Sequence, residues 1–300
     1  MADKKRVRFC DINPVTYAIS VKKEIAKRHI ENARSSERFA TARCEEKLPV
    51  VLSHKSNILI KTGKGVDPVL QQNKVVNLKI ASEPMNGLVI HPGETFSFFK
   101  LTGKITPKKG YKAGRVIQGG KLVPDVGGGL CNLANTIHLL VLDSPLDVTE
   151  FHTHSDALAP DHGKRVPMSA GTSVGYNYVD FRFKNNTDQD FQLLIWFDEE
   201  RMYGELRCEK EIPLAYEIVE EDHHFEKEGE DYYRVSKIYR DVKDKSTGAF
   251  VRRDLIWDNR SKVMFDPSEI PADQIRGVAF PVPWADGEGG APRQERTHGF

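Results

Sequence analysis

The sequence of 300 residues predicts an α+β fold, in which a helical N-terminal region is followed by a mostly antiparallel, β-rich domain. Three patterns lead to this prediction. Apolar residues near the N-terminus recur at helical spacing, and short β-branched runs separated by Gly, Pro or Asn fill much of the remaining chain. One apolar run after three glycines, CNLANTIHLLVL, has the length of a helix. This central helix is expected to begin near Cys131.

Two helices are predicted before the strand-rich part of the chain. Residues 14–47 place Val15 and Ile19 at helical spacing among lysines and arginines, and Pro14 suits the first turn of that helix. Residues 73–86 have the pattern of a second, amphipathic helix. The N-terminal third of the chain is therefore expected to be rich in helix.

The predicted strands are short and are separated by turns rich in Gly, Pro, Asn and Asp. In chain order they are two strands within 48–61, a strand, turn and strand over 87–100, an alternating strand over 146–156, a hairpin over 176–206 turning at 185–188, and a hairpin over 232–257 turning at 245–248. The predicted segments are a helical region at 1–47, a core domain at 48–210, a β-hairpin extension packed on that core at 211–283, and a disordered tail at 284–300.

Composition argues against several classes of function. Lys and Arg number 44 and Asp and Glu 43, so the net charge of +1 gives no electrostatic argument for nucleic acid or an anionic membrane. The N-terminus lacks the apolar stretch of a secretory signal, and no run approaches the roughly 18 apolar residues of a membrane span. Four cysteines without CxxC spacing favour a reducing, cytoplasmic setting. We expect neither a nucleic-acid partner nor membrane insertion.

The residues around Cys131 carry the strongest chemical signal. A helix that begins here directs N–H groups without intrahelical partners at the thiol, which lowers a thiol pKa. Gly127, Gly128 and Gly129 let the backbone approach a ligand closely and present further N–H groups. The pattern therefore offers a nucleophile and an oxyanion pocket together, as acyl transfer requires.

A thiol nucleophile needs a base, and His152 and His154 are the candidates. Residues two apart on a strand share a face, so both imidazoles are expected on one side. Asp156, Asp180 or a backbone carbonyl would orient the imidazole. The remaining candidates for substrate contacts are polar: Asn132 and Asn135 as amide donors, and Glu94, which either supports the site or belongs to a surface turn.

Two other interpretations of Cys131 stay open on the sequence alone. Unpaired cysteines are among the most buried residue types, so Cys131 would then be a small packed residue. Alternatively, the thiol would bind a metal together with His152 and His154, with His162 as the nearest fourth ligand. The pattern fits a metal site less well than a nucleophile, and we expect neither a metal nor a cofactor.

Three sequence blocks resemble the VanW family, the vancomycin B-type resistance accessory proteins and their relatives. They are HPGETFSFFKLTGKITPKKGYKAG, GGKLVPDVGGGLCNLANTIHLLVLDSPLDVTEFHTHSDALAPD and SAGTSVGYNYVDFRFKNNTDQDFQL, and they follow in the family's order within residues 48–240. The combination of PGE-F-F, GGG-C, the H-H-S triplet and the YNY-D-KN-T block is specific. The chain is identified as a member of this family by resemblance.

The resemblance implies an L,D-transpeptidase-like acyl transfer, since some relatives cross-link peptidoglycan through a cysteine that matches Cys131. His154 or His152 would be the base, and N–H groups near Gly129 and Cys131 would form the oxyanion hole. The substrate would be a small peptide-bearing cell-wall precursor. Asn132 replaces a glutamine of the secreted relatives, which changes a side chain suited to substrate contact. The alternative is an accessory module without catalysis that binds such a precursor, or another carboxylate or phosphate ligand.

Overall fold

The structure, a computed structural model, describes residues 9–60, 66–118, 121–153, 156–157 and 172–277. Its α-helices are α1 (Pro14–Arg34), α2 (Pro68–Ser82), α3 (Phe98–Thr102) and α4 (Leu130–Leu142). Short 3-10 turns lie at Phe9–Asp11, Pro107–Lys109, Pro267–Glu269 and Ala272–Gln274. Among the described residues, no helix is both long enough and apolar enough to cross a membrane.

The strands are numbered β1 to β15 in chain order. They are β1 (Arg38–Phe39), β2 (Val50–Ile58), β3 (Leu88–Ile90), β4 (Glu94–Ser97), β5 (Ala113–Gln118), β6 (Lys121–Val126), β7 (Asp147–Glu150), β8 (Asp156–Ala157), β9 (Arg182–Lys184), β10 (Phe191–Phe197), β11 (Arg201–Cys208), β12 (Leu214–Glu228), β13 (Asp231–Asp244), β14 (Phe250–Val263) and β15 (Ile275–Gly277).

Most of the strand pairs in the four sheets are antiparallel, which confirms the predicted α+β, β-rich class. The sheet orders are β1-β4-β9-β7, β2-β11-β10-β3, β15-β12-β13-β14-β8, and the two-stranded β5-β6. The long strands β12, β13 and β14 are the antiparallel centre of the third sheet, whose edge strands β15 and β8 pair in parallel. The predicted hairpin over 232–257 is confirmed as β13 and β14. Leu142, Ile238 and Trp257 join this sheet to the end of α4.

The first helix begins where the sequence predicts and ends earlier. The Asn13 side chain accepts hydrogen bonds from the backbone N–H groups of Val15 and Thr16, which caps the helix start. The prediction that helix continues to residue 47 is wrong. The backbone is extended at Ser35, and Arg38–Phe39 pairs in parallel with β4.

The segment 48–61 forms one strand where two were predicted. Its polar residues belong to β2 because the strand pairs with β11, and two of them, Ser53 and Asn57, find hydrogen-bond partners on α4 and at its end. Ser53 donates a hydrogen bond to Asp143 at 2.6 Å, and the Asn57 side chain donates to Thr136. The polar residues that were predicted as a turn are therefore part of the strand, and two of them form hydrogen bonds on its inward face.

The hairpin predicted over 176–206 is also different in the structure. The predicted turn at 185–188 connects β9 and β10, which lie in different sheets and do not pair with each other. The antiparallel pair is β10 with β11, and its turn lies at residues 198–200. The Asp198 carboxylate accepts N–H groups of Glu200 and Arg201 at 2.8 and 2.6 Å, which closes this turn.

The central helix α4 starts one residue before Cys131, which confirms the predicted position. Leu133, Ile137 and Leu140 are fully buried in the main hydrophobic core. A side chain at Gly204 of β11 would come within 2.8 Å of Leu140, so glycine there lets the sheet lie against the helix. Helix α4 is therefore fixed by apolar packing along most of its length.

The three glycines before α4 have a packing reason. A Cβ at Gly128 would lie 2.2 Å from the carbonyl carbon of Gly114, so two backbones touch at this point. Gly129, the N-cap of α4, has φ of 100° and lies against the side chain of Lys74. A residue with a side chain fits neither position without displacing neighbours.

We predict that Gly128→Ala lowers the free energy of unfolding by about 3 kcal/mol, because its methyl group must push two backbones apart. Gly277→Ala is the matched control, since nothing lies within 4 Å of a Cβ at that position. The control is expected to change stability by less than about 1 kcal/mol. Urea unfolding measures both variants, and equal stabilities would contradict the close backbone contact.

Candidate functional site

Cys131 is the second residue of α4 and is half-buried. Its thiol donates to the backbone carbonyl of Val174, with the sulfur 3.9 Å from the oxygen. Burial raises the pKa of this thiol and outweighs the smaller, opposite effect of nearby backbone groups. A helix start predicts a lowered thiol pKa, and this prediction is wrong for Cys131 because desolvation has the larger effect.

The glycine backbone offers fewer N–H groups than the sequence suggests. The N–H of Gly127 donates to Lys112 at 3.0 Å, and the N–H of Gly128 donates to Asp125 at 3.1 Å. Both bonds hold the turn that leads into α4. The N–H of Asn132, in the first turn of α4, donates to the carbonyl of Gly129 at 3.0 Å. Any oxyanion pocket therefore depends on the N–H groups of Gly129, Leu130 and Cys131 at the start of α4.

The segment 172–180 lies against α4 and connects the candidate residues. Thr172 pairs with Thr153, and the N–H of Ser173 donates to the carbonyl of His152 at 2.7 Å. The next residue, Val174, contacts the Cys131 thiol. One short stretch of backbone therefore lies against both Cys131 and His152.

His152 is held by a carboxylate and an arginine. Its Nε2 lies 2.9 Å from Oε1 of Glu150, and Arg28 of α1 donates two hydrogen bonds to the same carboxylate at 2.6 and 2.7 Å. Burial alone would raise the pKa of Glu150, but the contacts with His152 and Arg28 together lower it. Glu150 is therefore ionised and orients the imidazole, in the way that a carboxylate orients the histidine of a catalytic triad.

Asp180 is fully buried and has donors on both carboxylate oxygens. Its Oδ2 accepts from Ser97 at 2.6 Å and from Arg182 at 2.8 Å. Its Oδ1 accepts the N–H groups of Phe99 and Phe181. This carboxylate fixes the backbone around the segment 172–180, while the histidine contact within the described residues is made by Glu150.

The other predicted contact residues lie in different surroundings. Glu94 accepts the N–H of His91 at 3.0 Å, so it closes the turn before β4. Asn132 is half-buried on α4, one residue after Cys131. Asn135 lies one helical turn beyond Cys131, and its Oδ1 is buried without a hydrogen-bond partner. An unsatisfied amide oxygen next to the thiol face suits a donor from a bound molecule.

His138 continues the same face of α4 and is a packed residue. It is completely buried beside Phe151, and its Nδ1 lies 3.1 Å from the hydroxyl of Thr172. Burial, assisted by the charge of Arg240, lowers its pKa to about 3. The imidazole is therefore neutral at physiological pH and is separated from solvent, unlike the half-buried His152.

Some predicted residues cannot be compared with the structure. His154 and His162 lie outside the described residues, and so does the side chain of Asp156. Within the described part of the chain, no group of three His, Cys, Asp or Glu residues has the arrangement of a metal site. The positions of Gly127, Gly128, Gly129 and Cys131 follow the predicted turn and helix start.

Sequence reasoning missed Glu150 and Arg28. Glu150 lies two residues before His152, so the alternating pattern of that predicted strand would place both side chains on one face. In the structure, strand β7 ends at Glu150, but His152 still contacts the Glu150 carboxylate although it lies past the end of the strand. Arg28 is 122 residues away from Glu150, and no local pattern indicates that contact.

We predict that Glu150→Gln lowers the free energy of unfolding at pH 7 by about 3 kcal/mol, because the Arg28 guanidinium loses its partly buried partner. A lowered pKa means that the charged form is favoured in the folded state. The stabilisation is therefore complete above the ordinary Glu pKa of about 4.3. It is lost as the pH falls through the lower pKa that Glu150 has in the folded protein.

Urea unfolding of the wild type and Glu150→Gln between pH 7 and pH 3 measures this difference. The exposed pair of Lys243 and Glu217, 2.6 Å apart, is the control, and Glu217→Gln is expected to have little effect. A difference for Glu150→Gln that stays constant down to the lowest pH would show that the carboxylate charge is not what stabilises the fold.

Comparisons with known proteins agree with the sequence blocks described above. The profile of a family described as VanW like protein matches residues 73–207. The chain is 28% identical over 221 residues to the vancomycin B-type resistance protein VanW of Enterococcus faecalis, which covers 74% of this chain and 80% of that protein. It is 31% identical over 113 residues to the uncharacterized protein YoaR of Bacillus subtilis, covering 38% of this chain and 36% of that protein. No solved structure shows significant similarity to the chain. Residues 73–207 of this chain therefore match the VanW family.

Proposed function

We propose that this protein is a cysteine-dependent acyl transferase of the L,D-transpeptidase type, which acts on the peptide stem of a cell-wall precursor. Cys131 is the nucleophile and His152 is the base, with Glu150 orienting the imidazole. His154, the other candidate base in the sequence, stays an alternative. The proposed substrate class is supported by the similarity of this chain to a protein that is named for vancomycin resistance.

The observation that carries the proposal is the shared contact along residues 172–174. The segment touches the thiol of Cys131 through Val174, and it binds the backbone of His152 through Ser173. A nucleophile, a base and a carboxylate that orients the base are the three parts that thiol catalysis needs. Arg28 fixes the carboxylate, so the imidazole is held in a defined orientation before substrate binds.

The reaction follows from these roles. His152 takes the proton from the Cys131 thiol, and the sulfur attacks the carbonyl carbon of the stem peptide to form a tetrahedral oxyanion. The carbon–nitrogen bond breaks, the imidazolium returns the proton to the leaving amine, and a thioester remains on Cys131. An incoming amine then attacks the thioester, forms a new amide and releases the thiol. The N–H groups of Gly129, Leu130 and Cys131 are the oxyanion donors.

The raised pKa of Cys131 makes the base essential to this mechanism. A resting thiol does not attack at neutral pH, so proton transfer must accompany substrate binding. The buried Oδ1 of Asn135, which has no partner, would accept an N–H of the stem peptide one helical turn from the sulfur. Binding of this kind would place the scissile carbonyl beside the thiol.

A second candidate function is a binding module without catalysis. It is favoured by the raised pKa of Cys131 and by the hydrogen bonds that already occupy the N–H groups of Gly127 and Gly128. In that case the helix start binds a carboxylate of the precursor, and the sulfur contributes only its size. Replacement of Cys131 by Ser would then leave binding unchanged.

We predict that the full chain, incubated with a synthetic tetrapeptide stem ending in D-alanine, releases D-alanine and gains the mass of the remaining tripeptide less one water. Intact-protein mass spectrometry detects this thioester, and fragmentation should place it on Cys131. Cys131→Ser abolishes the adduct, and His152→Ala slows its formation by about a hundredfold because the general base is lost. His54→Ala, at an exposed histidine of β2, is expected to acylate like the wild type.

The outcomes separate the two candidate functions. Binding of the stem peptide with equal affinity by the wild type and Cys131→Ser, without an adduct in either, would refute the transferase and support the binding module. An adduct that forms at the same rate in His152→Ala would leave Cys131 as nucleophile and exclude His152 as its base.

A further inference from the structure

The exposed face of α1 is a feature that the proposed reaction does not use. The helix has 21 residues, and none of them is buried. Its other side is fixed to the domain by polar contacts of Arg28 with Glu150 and of Asn32 with Arg182. The outward side therefore keeps a constant direction and faces solvent.

Apolar residues on this outward side form a stripe. Val15, Ile19 and Ile30 are 67%, 51% and 52% exposed, and their spacing places them along one side of the helix. Phe9 and Ile12, in the turn just before the helix, are also more than half exposed. Together these five side chains make up a third of the fifteen exposed large hydrophobic residues in the described chain, within only 22 positions.

Lysines accompany the stripe. Lys22 lies in line with it, one turn after Ile19, and Lys23 and Lys27 lie beside it, and all three are exposed. Glu31 is the exposed carboxylate of α1, and it lies 3.7 Å from Lys27. The sequence directly before the described residues, KKRVR at positions 4–8, is also basic. The near-neutral charge of the whole chain hides this local excess of positive charge.

We propose that α1 binds the chain peripherally to an anionic lipid surface. The exposed Val and Ile side chains enter the boundary between headgroups and acyl chains, and the lysine ammonium groups reach the lipid phosphates. An amphipathic helix with lysines beside its apolar side has the composition of interfacial helices. The helix lies on the membrane and does not span it.

The charge pattern favours lipid over a second copy of this chain. A symmetric pair of α1 helices joined along the stripe would bring Lys22 and Lys23 of one copy close to those of the other. Of the two carboxylates of α1, Glu24 is half-buried, and the exposed Glu31 already pairs with Lys27. An anionic lipid surface offers an apolar layer for the exposed Val and Ile side chains and negative charges for the lysines, so it matches both parts of this face.

Flotation of the full chain with vesicles tests this proposal. We expect at least about tenfold stronger partition onto phosphatidylcholine vesicles that contain phosphatidylglycerol than onto phosphatidylcholine alone, and a steep decrease with added salt. Ile19→Glu is expected to reduce partition by about tenfold or more, and Lys22→Gln by about fivefold. Val251→Glu is the control, because Val251 is 49% exposed on β14, far from α1 in the sequence. This variant should partition onto vesicles as the wild type does.

Circular dichroism checks that each variant is folded, which is expected because the changed side chains face solvent. Equal partition onto both kinds of vesicle, or no effect of Ile19→Glu, would overturn the proposal. A dimer in size-exclusion chromatography that Ile19→Glu dissociates in the absence of lipid would also overturn it and would assign the stripe to self-association. None of these results depends on whether Cys131 is a nucleophile.

Discussion

The buried carboxylate of Asp180 is the interaction on which the arrangement around α4 depends. A buried charge is tolerated only when donors surround it, and here four donors from residues 97–99 and 181–182 converge on the two oxygens. These bonds fix the end of the segment 172–180 against β4 and α3. The N–H of Asp180 in turn donates to Glu150 at 3.1 Å, so the first carboxylate positions the second.

The candidate site is therefore a chain of fixed contacts. Asp180 anchors one end of the segment that covers α4, Glu150 orients His152, and the backbone of residues 172–174 lies between that histidine and Cys131. The close contact of Gly114 with Gly128 fixes the start of α4 from the other side. Because burial raises the pKa of the Cys131 thiol, the thiol is protonated at neutral pH, and its reactivity would depend on a base such as His152.

Local patterns predicted the parts of this structure that depend on neighbouring residues. The start of α4 was predictable because three glycines precede a long apolar run, and the start of α1 because Pro14 suits the first turn of a helix. The end of α1, the single strand β2 and the separation of β9 from β10 depend on partners far away in sequence. The contact of Arg28 with Glu150 is of the same kind, whereas Glu150 itself was within reach of the alternating pattern.

The most direct measurement is the rate of Cys131 alkylation by iodoacetamide between pH 5 and pH 10, followed by mass spectrometry in the wild type and in His152→Ala. In the wild type we expect the alkylation rate to reach half of its maximum at a pH above the ordinary thiol pKa of about 8.5. At pH 7 the alkylation rate of His152→Ala should be about tenfold lower than that of the wild type. Identical profiles in the two proteins would show that His152 does not act on Cys131, and would contradict the site described above.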